Sequence, residues 1–331
     1  MKRKTETFEN LCRFITEDIR QTLLRLPKEY KEDIEEIRLR NNKPLNIYIK
    51  GKNFFVGKNG TVLESEKEGL IIKDDDIKNT FQLITNHSVY AFSEEIKNGF
   101  ITITGGHRVG IGGKTVYGLD KIEDITNISS LNFRIAREKK GISDFLIPNL
   151  IDENNDFYNT LIISPPQCGK TTLLRDIIRN LSNGKDNEFE GFKIGLIDER
   201  SEIAGVYRGV SQNDVGLRTD ILDGCLKSHG IIMLIRSMSP EIIAVDEIGG
   251  VKDIEAIGEG LRAGIKFIAT VHGSSLDEIK CKKNLNEIIN EKIFKRYVVL
   301  DRSRGVGTIR EIINGKSFKK IDLKSDNYGS S

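Results

Sequence analysis

The sequence is poor in cysteine: Cys12, Cys168, Cys225 and Cys281 are scattered over 331 residues with no C-x-x-C pair among them. Such spacing offers neither a disulfide framework nor a zinc ribbon, and a reducing, cytosolic setting is expected. Long apolar runs are missing too, and none approaches the roughly 20 residues needed to cross a bilayer. The opening M-K-R-K-T-E-T is charged and no apolar stretch follows it, so no secretory leader is expected. Any membrane contact is then peripheral or made through partners. An excess of one charge is likewise absent, because 51 Lys+Arg against 49 Asp+Glu leave +2. That balance gives no support to a surface dedicated to nucleic acid. His87, His107 and His229 have no metal-ligand spacing, and no internal repeat is visible.

At 331 residues the chain exceeds the usual single-domain size, so two domains are expected. Apolar residues at helical spacing run through residues 6–40, from Phe8, Leu11, Ile15, Ile19, Leu23 and Leu24 to Ile34 and Ile37, and predict two helices. From Leu45, short alternating runs (N-I-Y-I-K, N-F-F-V-G) are punctuated by Gly51, Gly57 and Asn59-Gly60, which predicts β-hairpins. Residues 100–118 continue with F-I-T-I-T, Gly105-Gly106, H-R-V-G-I-G-G and K-T-V-Y. Their glycines are read as hairpin turns rather than as an anion cradle. S-S-L-N-F-R-I-A-R at 129–137 closes this smaller α+β domain, and the polar stretch from Asp152 to Asn159 is read as a linker. The expected division is 1–145, 146–323 and a disordered tail over 324–331. In the second part, short apolar runs at 160–163, 192–198, 241–246 and 266–271 alternate with helical segments at 171–182 and 252–263. That alternation predicts an α/β domain with a mainly parallel sheet covered on both faces, ending in a hairpin of Y-V-V-L-D and T-I-R-E-I-I.

Residues 161–178 read L-I-I-S-P-P-Q-C-G-K-T-T-L-L-R-D-I-I: an apolar strand, a turn, then an amphipathic helix. This is the order of a phosphate-binding loop, G-x-x-x-x-G-K-[ST]. Backbone N–H groups from Gln167 to Thr171 converge at the positive end of the helix, and Lys170 brings a full charge to the β- and γ-phosphates. The expected nucleotide-binding segment is Ser164, Pro165, Pro166, Gln167, Cys168, Gly169, Lys170, Thr171 and Thr172. Ser164 stands where the motif has glycine, and a serine there must find an allowed conformation or carry strain. Pro165 and Pro166 stiffen the loop, and Cys168 is assigned to packing.

Hydrolysis also needs a magnesium ligand and a group that orients or deprotonates water. Ile242-Ile243-Ala244-Val245 ends in Asp246-Glu247, which places two carboxylates at the tip of a buried strand. Asp246 is expected to reach Mg2+ through water and Thr171 to reach it through its hydroxyl, while Glu247 polarises the attacking water. Asp198 and Glu199, at the end of the strand 194–198, form a second acidic cluster that shares the handling of water. His272 ends K-F-I-A-T-V and is placed to sense the γ-phosphate. An arginine presented to the γ-phosphate, often by a neighbouring subunit, completes such chemistry. Arg134, Arg137, Arg200, Arg208, Arg218 and Arg236 are candidates that the sequence does not rank.

Taken in order, the phosphate loop, I-D-E-R-S-E-I, R-S-M-S-P-E-I-I-A-V-D-E-I and L-R-A-G-I-K-F-I-A-T-V-H-G resemble the secretion ATPase superfamily of type II and type IV systems and pilus motors. The likeness covers residues 160–275. In it, Asp198-Glu199 fall in the Asp box, Asp246-Glu247 in the Walker B and Thr270 to Gly273 in the His box. E-E-I-R-L-R-N-N-K-P-L (35–45), G-G-H-R-V-G-I-G-G (105–113) and F-R-I-A-R-E (133–138) extend it toward a sporulation branch found in endospore-forming bacteria. The zinc-binding cysteine quartet of type II enzymes is missing, which also places the chain nearer the compact type IV and sporulation branch.

The resemblance implies a RecA-like P-loop ATPase domain behind an α+β domain, with ATP and Mg2+ as cofactors and hydrolysis of ATP to ADP and phosphate. It further implies a ring, expected to be a homohexamer, in which the N-terminal domain packs on the neighbouring ATPase domain. The expected place is the mother-cell cytoplasm, against membrane proteins of a channel joining mother cell and forespore. Two competing readings are a nucleotide-regulated nucleic-acid-handling module, which the charge balance disfavours, and a structural ring component with a weakened site, motivated by Ser164.

Overall fold

The structure, a computed structural model, describes residues 2–118, 122–136, 139–186 and 188–321. The chain forms two compact units, Met1–Arg137 with Gly205–Gln212, and Glu138–Ala204 with Asn213–Ser331. The first passage between them falls before residue 145. Gly141 and Ser143 already donate their N–H groups to Asp176 at 3.0 and 2.8 Å, which ties this stretch to the second unit. Arg137 and the expected disordered tail over 324–331 lie outside the described residues.

The first unit opens with three helices, α1 (Lys2–Cys12), α2 (Glu17–Leu24) and α3 (Lys28–Asp33). Strands β1 (Ile34–Arg40), β2 (Asn46–Ile49), β3 (Lys52–Val56) and β4 (Val62–Leu63) follow, then α4 (Asp74–Thr85) and α5 (Ser93–Lys97). Strands β5 (Phe100–Ile103), β6 (His107–Tyr117) and β7 (Ile122–Arg134) complete an antiparallel sheet of order β4-β3-β2-β1-β7-β6-β5. Its core joins Phe8, Leu11, Ile15 and Ile19 to Ile37, Leu39 and Phe133. The helical pattern predicted through Ile34 and Ile37 stops at Asp33. A bulge between Ile34 and Glu36 in β1 buries two isoleucines three residues apart, a spacing that imitates a helix.

Gly105 and Gly106 turn β5 into β6 with φ of 88° and 72°. A Cβ on Gly105 would lie 2.8 Å from His107 Nε2. The His107 ring is buried, its Nδ1 accepts the Ala136 N–H at 3.0 Å, and burial lowers its pKa from 6.5 to about 4.

The second unit carries α6 (Ile147–Leu150), β8 (Thr160–Ser164), α7 (Lys170–Asn183) and β9 (Ile194–Asp198). The chain then makes the hairpin β10 (Val206–Tyr207) and β11 (Val210–Ser211), which belongs to the first unit. There Tyr207 packs on the core and Gln212 Oε1 accepts the Gly105 N–H at 2.8 Å. Back in the second unit come β12 (Thr219–Asp223), α8 (Lys227–Ser237), β13 (Ile242–Val245), α9 (Val251–Arg262) and β14 (Lys266–His272). The last elements are α10 (Leu276–Lys280), α11 (Lys283–Asn290), β15 (Arg296–Asp301), β16 (Thr308–Asn314) and β17 (Lys320–Ile321). Residues 152–159 are a turn rather than a linker: Asp152 Oδ1 accepts the N–H groups of Asn154 and Asp156 at 2.8 and 2.9 Å, and Phe157 is buried.

The sheet order is β12-β9-β13-β14-β8-β15-β16-β17. The first six strands run parallel, and β16 and β17 add an antiparallel edge. β8, β9 and β13 are buried at every position, as strands covered on both faces must be, which is why they read as unbroken apolar runs. The order β9-β13-β14-β8 has a functional consequence. Four segments far apart in sequence end at neighbouring strand tips: Asp198 on β9, Asp246 just after β13, His272 on β14 and Ser164 on β8.

Candidate nucleotide-hydrolysing site

The loop after β8 is built without strain at its first position. Ser164 is the last residue of the strand and is not among the described residues with positive φ; those in the loop are Gln167 at 57° and Gly169 at 87°. Its carbonyl accepts the Gly273 N–H at 3.1 Å, and its hydroxyl donates to the Pro165 carbonyl at 2.9 Å. Gly169 is where glycine is required. A Cβ there would lie 2.8 Å from Val306 Cγ1 and 3.0 Å from the Gly307 nitrogen. Gly307 N–H also donates to the Cys168 carbonyl at 2.8 Å, so the β15–β16 turn braces the loop. Cys168 is buried, as its packing assignment expects. α7 starts at Lys170 with no acidic residue in its first turn and no side-chain cap, which leaves its positive end open to an anion.

Beside that helix end, Asp246 gathers three groups. Its Oδ1 lies 3.2 Å from Lys170 Nζ and accepts the Thr270 hydroxyl, and its Oδ2 accepts the Thr171 hydroxyl at 3.3 Å. Glu247 follows in a left-handed conformation, φ 57°, held by its N–H donating to Thr270 Oγ1 at 2.8 Å. That conformation turns its carboxylate toward two cations, Lys170 Nζ at 3.9 Å and Arg200 Nη1 at 3.3 Å. Thr270 therefore orients both acids at once. The sequence placed it in the His box without a role. The signal available was a hydroxyl two residues before the strand-end histidine, on the strand paired with β13.

The other expected residues are placed as follows. Asp198 is buried, and its two oxygens accept the N–H groups of Glu202, Ile203 and Ala204 at 2.8, 3.0 and 2.8 Å. It organises the turn that presents Arg200, and Arg175 of α7 ties down the same turn through the Glu202 and Ile203 carbonyls. Glu199 is bound by Lys227. His272 ends β14 opposite Ser164, is exposed, and shares a cavity wall with Glu247.

The arginines divide by location. Arg200 is in the cluster. Arg218 donates to the Ser182 and Asn183 carbonyls, at the end of α7 remote from the phosphate loop. Arg236 is exposed in the last turn of α8. Arg134 and Arg208 are exposed on the first unit, Arg134 lying 3.8 Å from Glu36 and Arg208 lying over the Tyr207 ring. The Thr171 hydroxyl and Asp246 carboxylate supply the hard oxygen donors that suit Mg2+, which takes few protein ligands and completes its shell with water and phosphate.

The family described as Sporulation stage III, protein AA matches residues 3–320 of this chain. Stage III sporulation protein AA of Bacillus subtilis (strain 168) is 40% identical over 302 residues, which are 91% of this chain and 94% of that protein. Among solved structures, the ATPase DotB of Yersinia pseudotuberculosis has a TM-score of 0.52 at 16% identity, covering 86% of this chain and 76% of its own. The pilus retraction motor PilT, with bound ADP, has a TM-score of 0.51 at 14% identity, covering 82% and 75%. At these identities what is shared is the fold, the P-loop-like α/β architecture of secretion and pilus motor ATPases. Among the described residues no helix is long and apolar enough to cross a membrane. With likeness running nearly end to end, the chain belongs to the Sporulation stage III, protein AA family.

Proposed function

We propose that the chain is a Mg2+-dependent ATPase that hydrolyses ATP to ADP and phosphate and thereby energises or gates the channel complex between mother cell and forespore. The observation that carries this reading is the meeting of Lys170, Thr171, Asp246 and Glu247 at one helix end, with Thr270 fixing the two acids. The segment Ser164 to Thr172 binds the triphosphate through backbone N–H groups and the Lys170 ammonium. Bound Mg2+ supplies charge neutralisation on the phosphates, held from Thr171 and Asp246. Glu247 takes the water proton as oxygen attacks the γ-phosphorus, and His272 reads the γ-phosphate. Asp198 and Glu199 contribute by shaping the turn that carries Arg200. The ADP in the PilT structure supports a nucleotide in this fold.

The working assembly is a ring of identical subunits, a hexamer, in the mother-cell cytoplasm and docked on membrane proteins of the channel. Arg134 and Arg208, exposed on the first unit, are then the arginines best placed to act on a neighbour. Nucleic acid is not a partner in this reading. Glu247→Gln separates the steps: ATP binding with Mg2+ is expected to persist while turnover falls by about 100-fold or more. Turnover unchanged in that variant, or absent from the wild-type assembly with its membrane partners, overturns the proposal.

A further inference from the structure

A cavity of about 490 Å3 lies over the tips of β9, β13 and β14, walled by Arg200, Lys227, Glu247, His272, Lys282 and Lys283. Four cations face one carboxylate there. Three of them have partners: Lys227 binds Glu199, Arg200 lies 3.3 Å from Glu247, and Lys282 donates to the His272 carbonyl with Glu278 at 3.8 Å. Lys283 has no carboxylate partner among the described residues. It is also the first residue of α11, whose N-terminus carries no side-chain cap and no acid in its first turn. Helix end and ammonium therefore add positive potential to the same wall. Among the described residues no Phe, Tyr or Trp lines the cavity, and its polar wall is dominated by cations. What it suits is a small, hydrated oxyanion.

The cavity and the phosphate loop meet at Glu247, which faces Lys170 on one side and Arg200 on the other. We propose that this cavity binds the inorganic phosphate produced by hydrolysis, with Arg200, Lys282 and Lys283 as its cationic contacts. The inference rests on the ATPase reading above. Hydrolysis forms a bond from the water oxygen to the γ-phosphorus and breaks the bond to the bridging oxygen, whose electron pair stays on ADP. Orthophosphate dianion and one proton are released. The dianion moves past Glu247 into a wall where Arg200 exchanges a carboxylate for phosphate, and this holds phosphate apart from ADP before it escapes to solvent.

The test is a titration of orthophosphate, followed by calorimetry and by 31P NMR, in the Lys170→Ala chain, whose phosphate loop is disabled. Saturable binding is expected to remain. Adding Lys283→Ala or Lys282→Ala to that background should weaken it by about tenfold each, the scale of one lost charge-assisted contact. No saturable binding to Lys170→Ala, or binding indifferent to both lysines, overturns the proposal. Because the titration involves no turnover, its failure leaves the ATPase reading standing. Absence of ATP turnover in the wild type defeats that reading, and the phosphate's origin with it.

Discussion

Serine at position 164 illustrates how a single residue departs from a motif at little cost. Its backbone belongs to the strand, and the left-handed conformations that a phosphate loop needs fall on Gln167 and Gly169 instead. Glycine at 164 would lose the hydroxyl bond to the Pro165 carbonyl and loosen a strand end. Ser164→Gly is therefore expected to change ATP affinity by no more than about twofold, within 0.4 kcal/mol, and to lower stability by about 0.5–1 kcal/mol. Calorimetric titration and thermal melts measure the two. A tenfold gain in affinity would mean that the triphosphate needs positive φ at this position. The loop and the acid pair were legible in sequence because each is a local word: a strand, then a fixed order of residue types. Thr270, and the turn-building use of Asp198, were not, since both depend on which strand tips lie side by side.

At the scale of elements, legibility followed periodicity and failed where one irregularity altered it. The buried strands β8, β9, β13 and β14 announced themselves as apolar runs. β1 was disguised by its bulge, and the half-exposed edge strand β12 lacks an apolar run to mark it. The β5–β6 turn carries a consequence for pH. His107 must be neutral when folded, because its ring is buried and its Nδ1 accepts a backbone N–H. A histidine with its folded pKa lowered from 6.5 to about 4 contributes stability that is complete above pH 6.5. That contribution is lost as pH falls from 6.5 through 4, and its full size is about 3 kcal/mol. The His107 ring resonances should accordingly stay in their neutral positions at pH 5.5. Protonation of His107 near pH 6.5 would show that the ring is not sealed by this turn.

At the scale of the molecule, the chain passes between its two units three times, because Gly205–Gln212 leaves the second unit's sequence to join the first. Two strands of two residues each gave the sequence no signal of that excursion, so a division by composition alone placed one boundary where the structure has three. Cutting the chain near residue 145 would deprive the first unit of Tyr207, which packs on its core. The full chain is thus the object on which assembly has to be tested. Within the second unit Arg200 is paired with Glu247 beside Lys170, and Arg134 and Arg208 stand exposed on the first. If a neighbour supplies one of them, the rate of ATP turnover per chain should rise steeply with protein concentration and level off once sedimentation shows a ring. A constant rate per chain across that range, with the protein monomeric, would place every catalytic group on one chain and remove the reason for a neighbour's arginine.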